Sequence, residues 1–405
     1  MKIAGLKCRI CGKEFPAEPI YTCDNCFGPL EVVYNWDFIA ENVSREKIEN
    51  GPRSIWRYSD FLPVEDVEPV DLGAGYTRFI KADNLGEELG LKNLYLIDDS
   101  TNPTYSFKDR VVSVAVTKAV EFGMKAVGCA STGNLAGSLA AHAAKARLPA
   151  YIFVPQGIER NKIVQAAVHG ARIIEVEGTY DDANRLATEI AEENPDWGFV
   201  NINLRPYYAE GSKTLAYETA EHLGWTTPDQ VVIPMASGAL LCAIHRGFED
   251  LERVGLIEEN GTVFNGAQPY GLPISKAVKY GKGIEPVKKL DTIVHSLAIG
   301  NPADGMFAKE IIEKSGGFAE DPLDEESIEA VKLLAKTEGI FTELAGGVTI
   351  ATLRRLVEDG RIDSSDVVVA YLTGNGLKTT EGIVDHLPET VKIKPRLEEF
   401  ERVIA

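Results

Sequence analysis

From Gly73 onward the sequence alternates short, continuous apolar runs with stretches of helical periodicity. Leu94–Ile97, Ala126–Ala130, Ala150–Val154, Arg172–Val176 and Val231–Pro234 read as strands, followed later by Val263–Ala267 and Val367–Leu372. The stretches 107–122, 133–146, 159–169, 180–193 and 211–223 read as helices, with further ones near 305–315, 324–338 and 345–358. Strands that are apolar on both faces, separated by helices, require parallel sheets covered on both sides. In such folds ligands sit beyond the carboxyl ends of the strands. Those ends are therefore where chemistry is expected.

The totals narrow the class. A chain of 405 residues has room for two or three domains, or one large domain with an appendage. Its net charge of −19 disfavours nucleic acid and anionic membrane surfaces as partners. No run of 18 apolar residues is present, and the segment Met1–Cys8 lacks a secretory apolar core, so a cytoplasmic protein is expected.

Four of the six cysteines fall within the first 26 residues. Cys8-Arg-Ile-Cys11 and Cys23-Asp-Asn-Cys26 are two knuckles, each followed closely by glycine. Two thiolates two residues apart can converge on one tetrahedral ion, and glycine permits the tight turn. A reducing compartment disfavours disulfides, and no strand–helix context supports a redox pair. A structural zinc held by Cys8, Cys11, Cys23 and Cys26 is expected, closed and without catalytic function. From Glu31 to about Asp71, with Trp36 and Trp56, the chain reads as an extended lead-in that packs onto the main body.

Four strand ends carry reactive or polar groups. After Leu94–Ile97 comes Ser100-Thr-Asn-Pro-Thr-Tyr-Ser-Phe-Lys-Asp-Arg110, which places Lys108 at the first turn of a helix. The positive end of the helix macrodipole disfavours a second positive charge there, and a neutral amine is a nucleophile able to form a Schiff base. A solvated lysine at a helix start would look the same locally. Ser131-Thr132-Gly133-Asn134 offers hydroxyls and free backbone N–H groups at a helix start, which suits an anion or simply caps the helix. Met235-Ala236-Ser237-Gly238-Ala239-Leu240 has the small residues that let a backbone approach a phosphate. It is neither a Walker loop nor a dinucleotide fingerprint. Thr373-Gly-Asn-Gly-Leu-Lys378 puts a hydroxyl where a neutral heteroaromatic nitrogen could receive a hydrogen bond. An amine, an anion site, a phosphate loop and a hydroxyl together match one ligand, pyridoxal 5′-phosphate.

At this point the sequence resembles the threonine synthases, among the fold-type-II pyridoxal-phosphate enzymes. The likeness runs along nearly the whole chain. It rests on residues 102–110, Ser131–Asn134, Tyr207–Thr214 with its Glu-Gly-x-Lys-Thr ending, Gly300-Asn-Pro-Ala303, Glu338-Gly-Ile-Phe341 and Leu372–Lys378. The resemblance implies a zinc-ribbon-like segment over 1–34 and a catalytic region over 35–405. That region would hold two interleaved α/β subdomains, the smaller over about 110–220. It implies Lys108 as the Schiff-base lysine and proton shuttle, and Asn134 facing the cofactor's phenolic oxygen. Residues Ala236, Ser237, Gly238, Ala239 and Leu240 would cradle the phosphate, and Thr373 would face the ring nitrogen. Thr77, Ser131, Thr132, Asn203, Arg205 and Lys213 are its candidates for the substrate. A homodimer is expected by the same resemblance.

Two segments depart from the family pattern. The chain reads Gly75-Tyr-Thr77-Arg78-Phe79 where relatives carry Gly-x-Thr-Pro-Leu, and Tyr105 where they carry glycine. If Tyr105 turns outward, the pocket keeps family dimensions and conversion of O-phospho-L-homoserine and water to L-threonine and phosphate is expected. If it points inward, a shorter substrate is favoured, such as O-phosphoserine, serine or threonine in β-replacement or β-elimination. A third possibility, a zinc-ribbon binding protein on an inactive scaffold, is opposed by Lys108, Asn134 and Thr373 all being present.

Overall fold

The computed structural model describes residues 1–131, 133–157, 160–288 and 290–404. In chain order its strands are β1 Ile3–Cys8, β2 Glu14–Phe15, β3 Leu30–Tyr34, β4 Arg78–Lys81, β5 Asn93–Asp98, β6 Ala126–Ala130 and β7 Ala150–Pro155. They continue with β8 Arg172–Val176, β9 Trp197–Phe199, β10 Gln230–Pro234, β11 Val263–Ala267, β12 Ala319–Glu320 and β13 Val367–Leu372. Three sheets result: β2-β1-β3, β12-β11-β10-β13-β5-β4, and β8-β7-β6-β9. All pairings in the four-stranded sheet are parallel. The six-stranded sheet is parallel except for β4, which closes its edge antiparallel to β5.

The large sheet follows directly from its apolar runs. Ile97, Val231, Ile233, Val369 and Tyr371 enter one core. Their alternate neighbours Leu94, Leu96, Val232, Val368, Ala370 and Leu372 enter a second. With a side-chain period of two, a strand apolar at every position must bury both faces. Helices supply the cover, for example Ala239–Arg253 on one side and Leu344–Glu358 on the other.

The lead-in is not extended. It holds two short helices, Trp36–Asn42 and Arg45–Glu49, each capped by a side chain, Asn35 and Ser44 respectively. A 3-10 helix follows over Ile55–Phe61. It does pack on the body: the Trp56 indole N–H donates to Ser113 Oγ at 3.0 Å, and buried Arg57 pairs with Glu221 at 2.5 Å. The side-chain caps at Asn35 and Ser44 hold these short helices in a stretch with no long apolar run.

Candidate active site

In the large sheet β10, β13 and β5 are consecutive and parallel, with Leu372 opposite Asp98. Their carboxyl ends therefore lie side by side, and three of the four motifs emerge there. The chain leaving β5 is fastened to the chain leaving β13. Phe107 N–H donates to the Thr373 carbonyl at 3.0 Å, Asn375 N–H to the Tyr105 carbonyl at 3.1 Å, and Ser106 bridges Gly374. Lys108 and Thr373 are thus neighbours because their strands are.

The loop is held from below by buried charge. Asp109 is fully buried and accepts from Thr104 N–H, Thr104 Oγ1 and Ser138 Oγ, each at 2.6 Å. Arg110 is also fully buried. It reaches Asp99 through Nε and Nη2 at 2.7 Å and Glu218 through Nη1 at 2.5 Å and Nη2 at 2.8 Å. Asp99 and Glu218 raise its affinity for the proton further, against the desolvation that opposes it. With both ends of the helix's first turn fixed, Lys108 opens the helix Lys108–Glu121 with its Nζ 3.1 Å from the Tyr208 hydroxyl.

A fully buried hydroxyl, Ser106 Oγ, stands beside this lysine with no partner among the described residues. The loop after β10 starts the helix Ala239–Arg253, and Gly238 there adopts φ +90°. A Cβ at Gly238 would meet Ala308 and the Asp304 carbonyl at 2.9 and 3.0 Å, so the loop is pressed against its support as only glycine allows. Thr373 is buried at the end of β13.

The second sheet contributes from β6. Asn134 opens the helix Asn134–Ala146, and its Nδ2 donates to both oxygens of Glu343 at 3.2 and 3.1 Å. Glu343 is buried, and its N–H donates to the Gly374 carbonyl at 3.0 Å. Burial pushes the Glu343 carboxyl up, partly offset by Asn134, Lys378 and Lys108 nearby. Lys378 Nζ donates to the Thr104 carbonyl at 2.7 Å, and burial pulls its ammonium down. Sequence reasoning assigned no role to Glu343, Lys378, Tyr208 or Ser106. Tyr208, Ser106 and Lys378 do lie inside the quoted motifs. Glu343 lies two residues past Phe341, immediately before a helix, where a carboxylate commonly sits.

The substrate candidates separate. Ser131 stays at the end of β6, half buried, its Oγ accepting from Gly133 N–H at 3.3 Å. Thr132 lies outside the described residues. Thr77 is occupied: its hydroxyl donates to Asp99 at 2.7 Å and accepts from Arg110 at 3.2 Å. Asn203 ties backbone together, accepting from Phe199 N–H at 2.8 Å and donating to the Trp197 carbonyl at 2.9 Å. Lys213 is buried between Asp250 at 2.6 Å and Glu210 at 2.5 Å, which leaves it no free face for a substrate. Arg205 is more open but pairs with Asp304 at 2.7 Å.

Of the two departures, Arg78 lies on the edge strand β4, 58% exposed, at 3.4 Å from Asp98. Tyr105 has φ +65° and is 54% exposed, so it turns outward to solvent. The left-handed backbone explains why glycine suits this position, and it costs tyrosine about 1 kcal/mol.

At the N-terminus the four thiols gather. All four sulfurs lie within 4.8 Å of one another, with Cys8–Cys26 at 3.4 Å and Cys11–Cys23 at 3.6 Å, and none is in a disulfide. A hydrogen bond from the Lys13 backbone draws the Cys11 thiol down to about 6. Gly12 takes φ +75°, as expected of a knuckle. At the second knuckle Phe27 takes the left-handed turn instead, and Gly28 is needed because a Cβ would come within 2.8 Å of Cys8 Sγ.

Residues 70–374 match the family model described as pyridoxal-phosphate dependent enzyme. A threonine synthase of Methanocaldococcus jannaschii is 39% identical over 405 residues, covering 98% of each chain. One of Methanosarcina acetivorans is 38% identical over 403 residues, again covering 98% of each. Among solved structures, the processed threonine deaminase isoform 2 of Solanum lycopersicum shares the fold with TM-score 0.64 at 21% identity, covering 82% of this chain and 95% of that one. The chain belongs to the fold-type-II pyridoxal-phosphate-dependent enzymes. Within them it is a member of the threonine synthase family.

Proposed function

We propose that the chain converts O-phospho-L-homoserine and water to L-threonine and phosphate, in threonine biosynthesis. The observation that carries the site assignment is the junction of β5 and β13, where the chain next to Lys108 is fastened to Thr373 and Gly374 and the buried Ser106 hydroxyl has no partner among the described residues. Those polar groups suit the cofactor. Lys108 would hold its aldehyde carbon and the loop 236–240 its phosphate. Thr373 would meet the ring nitrogen and Asn134 the phenolic oxygen. When bound, the cofactor spreads the negative charge that develops on the substrate's α carbon.

The chain's own groups do the rest. Lys108 Nζ would take the proton from the α carbon and then one from the β carbon, and the phosphate leaves the γ carbon with the electron pair of the C–O bond. One proton returns to the γ carbon to make the methyl group. Water then adds at the β carbon, and after this hydration a last proton returns to the α carbon. The Tyr208 hydroxyl, 3.1 Å from Nζ, fixes the amine between transfers. Glu343 orients the Asn134 amide by accepting from it. Ser131 and the N–H groups of its helix start would receive the substrate's carboxylate or phosphate.

The outward Tyr105 favours this substrate over a shorter one. Tyr105→Gly should change kcat/KM for O-phosphohomoserine by less than about tenfold, roughly 1.4 kcal/mol. A gain of several hundredfold in steady-state assays would show that the tyrosine had been excluding that substrate.

Cys8, Cys11, Cys23 and Cys26 are proposed to hold one structural zinc. A tetrahedral ion with bonds of about 2.3 Å sets its sulfurs about 3.8 Å apart, near the separations found. Elemental analysis of the purified protein should give one zinc per chain. Cys8→Ser should lose the metal yet keep turnover at saturating cofactor. A folded, cofactor-loaded Cys8→Ser protein with no activity would count against a purely structural ion.

Among the described residues no helix is long and apolar enough to cross a membrane. A cytoplasmic homodimer belongs to the same proposal, as does the division into a ribbon over 1–34 and a catalytic region over 35–405 with its smaller subdomain near 110–220.

A further inference from the structure

Arg9 lies between the two cysteines of the first knuckle, but its side chain serves the other end of the molecule's sequence. Its Nη1 donates to Asp304 Oδ1 at 2.8 Å, and its guanidinium sits 3.7 Å from the centroid of the Phe307 ring. Both side chains are well covered, at 13% exposure for Arg9 and 6% for Asp304. A second, longer contact runs to Glu31 at 3.7 Å.

Asp304 in turn touches the loop after β10 through its backbone. Its N–H donates to the Ser237 carbonyl at 3.0 Å. Its own carbonyl packs so closely on Gly238 that a Cβ there would approach to 3.0 Å. The remaining carboxylate oxygen accepts from Arg205 at 2.7 Å. One residue therefore joins the ribbon, through Arg9, to the loop whose N–H groups start the helix Ala239–Arg253.

We propose that Arg9 is a positioning residue for the cofactor's phosphate loop, so that the thiol-built ribbon governs how tightly pyridoxal phosphate is held. The inference rests on the reading of 236–240 as the phosphate cradle. A carboxylate this buried needs partners on both oxygens. Without Arg9, Oδ1 is left bare, and Asp304 must turn toward water or toward Arg205. Either movement shifts the backbone that fixes Ser237 and Gly238. Donors that are no longer held in place must be ordered by the ligand itself, at a cost in affinity.

The test compares wild type, Arg9→Met and Arg9→Lys. Methionine keeps the packing on Phe307 and removes the charge; lysine restores a charge without the planar fork. Two quantities are measured: the dissociation constant for pyridoxal phosphate, and hydrogen exchange of residues 235–241 in the cofactor-free protein. Arg9→Met should weaken cofactor binding about tenfold, equal to about 1.4 kcal/mol, and speed exchange in that loop. Excess cofactor should restore its turnover, and Arg9→Lys should fall between. A dissociation constant within about twofold of wild type, unchanged exchange, or lost turnover that excess cofactor does not restore overturns the proposal. If Arg9→Met does not fold, Asp304→Asn reads the same link from its far side and must show the same weakening. Wild-type protein that takes up no cofactor would instead sink the functional reading, which separates the two failures.

Discussion

Lys108→Ala should lose turnover by at least about a thousandfold, the upper range for removing a positioned proton-transfer group. It should also lose the near-visible absorbance band that borohydride abolishes in the wild type, because no other amine occupies the same place. Lys378 is the nearest alternative, but its Nζ is bound to the Thr104 carbonyl at 2.7 Å. The variant should still fold, since among the described residues the Lys108 amine has only Tyr208 as its hydrogen-bond partner. A variant that retains the band would place the reactive amine elsewhere and remove the basis of the site assignment.

Arg110→Met should destabilise the protein by about 3–5 kcal/mol, the range for breaking a buried ion pair from one side. Its guanidinium answers two carboxylates, Asp99 and Glu218, both buried. Without it both must be protonated or hydrated inside the core. The loss spreads to the Gly75–Thr77 turn, because Glu218 also accepts from Tyr76 N–H at 2.5 Å and Thr77 N–H at 3.4 Å. Arg110→Lys should recover only part, since an ammonium cannot form paired bonds to two carboxylates. Denaturant unfolding checks both variants, and a loss below about 1 kcal/mol for Arg110→Met would mean the network relaxes far more freely than its burial implies.

Those two residues mark what a sequence discloses and what it conceals. Lys108, Thr373 and the loop 236–240 were legible because each sits at the end of a strongly apolar strand, and strand ends converge by the geometry of parallel sheets. Strands β6, β8, β11 and β13 coincide with the expected runs. The edge strand β4, reading Arg-Phe-Ile-Lys, and the short β9 and β12 carry too few apolar residues to announce themselves. Polar partners were harder still. Nothing near Lys213 in sequence says that Asp250 will share its ammonium. Likewise, Thr77 looked available because Asp99 and Arg110, which occupy its hydroxyl, reach it only across the fold. Glu343 lies 209 residues from Asn134, and Arg9 lies 295 from Asp304. Such pairs are set by tertiary packing and leave no periodicity to read.

The most direct test of the central claim is turnover by the purified, cofactor-saturated protein on O-phosphohomoserine beside O-phosphoserine, serine and threonine. Phosphate release and amino-acid product are followed together. The account predicts threonine and phosphate in equal amounts from O-phosphohomoserine. It also predicts a kcat/KM for O-phosphohomoserine at least about a hundredfold above that for any of the other three, roughly 2.7 kcal/mol of transition-state discrimination. Faster processing of O-phosphoserine, serine or threonine, or phosphate release without threonine, would contradict it.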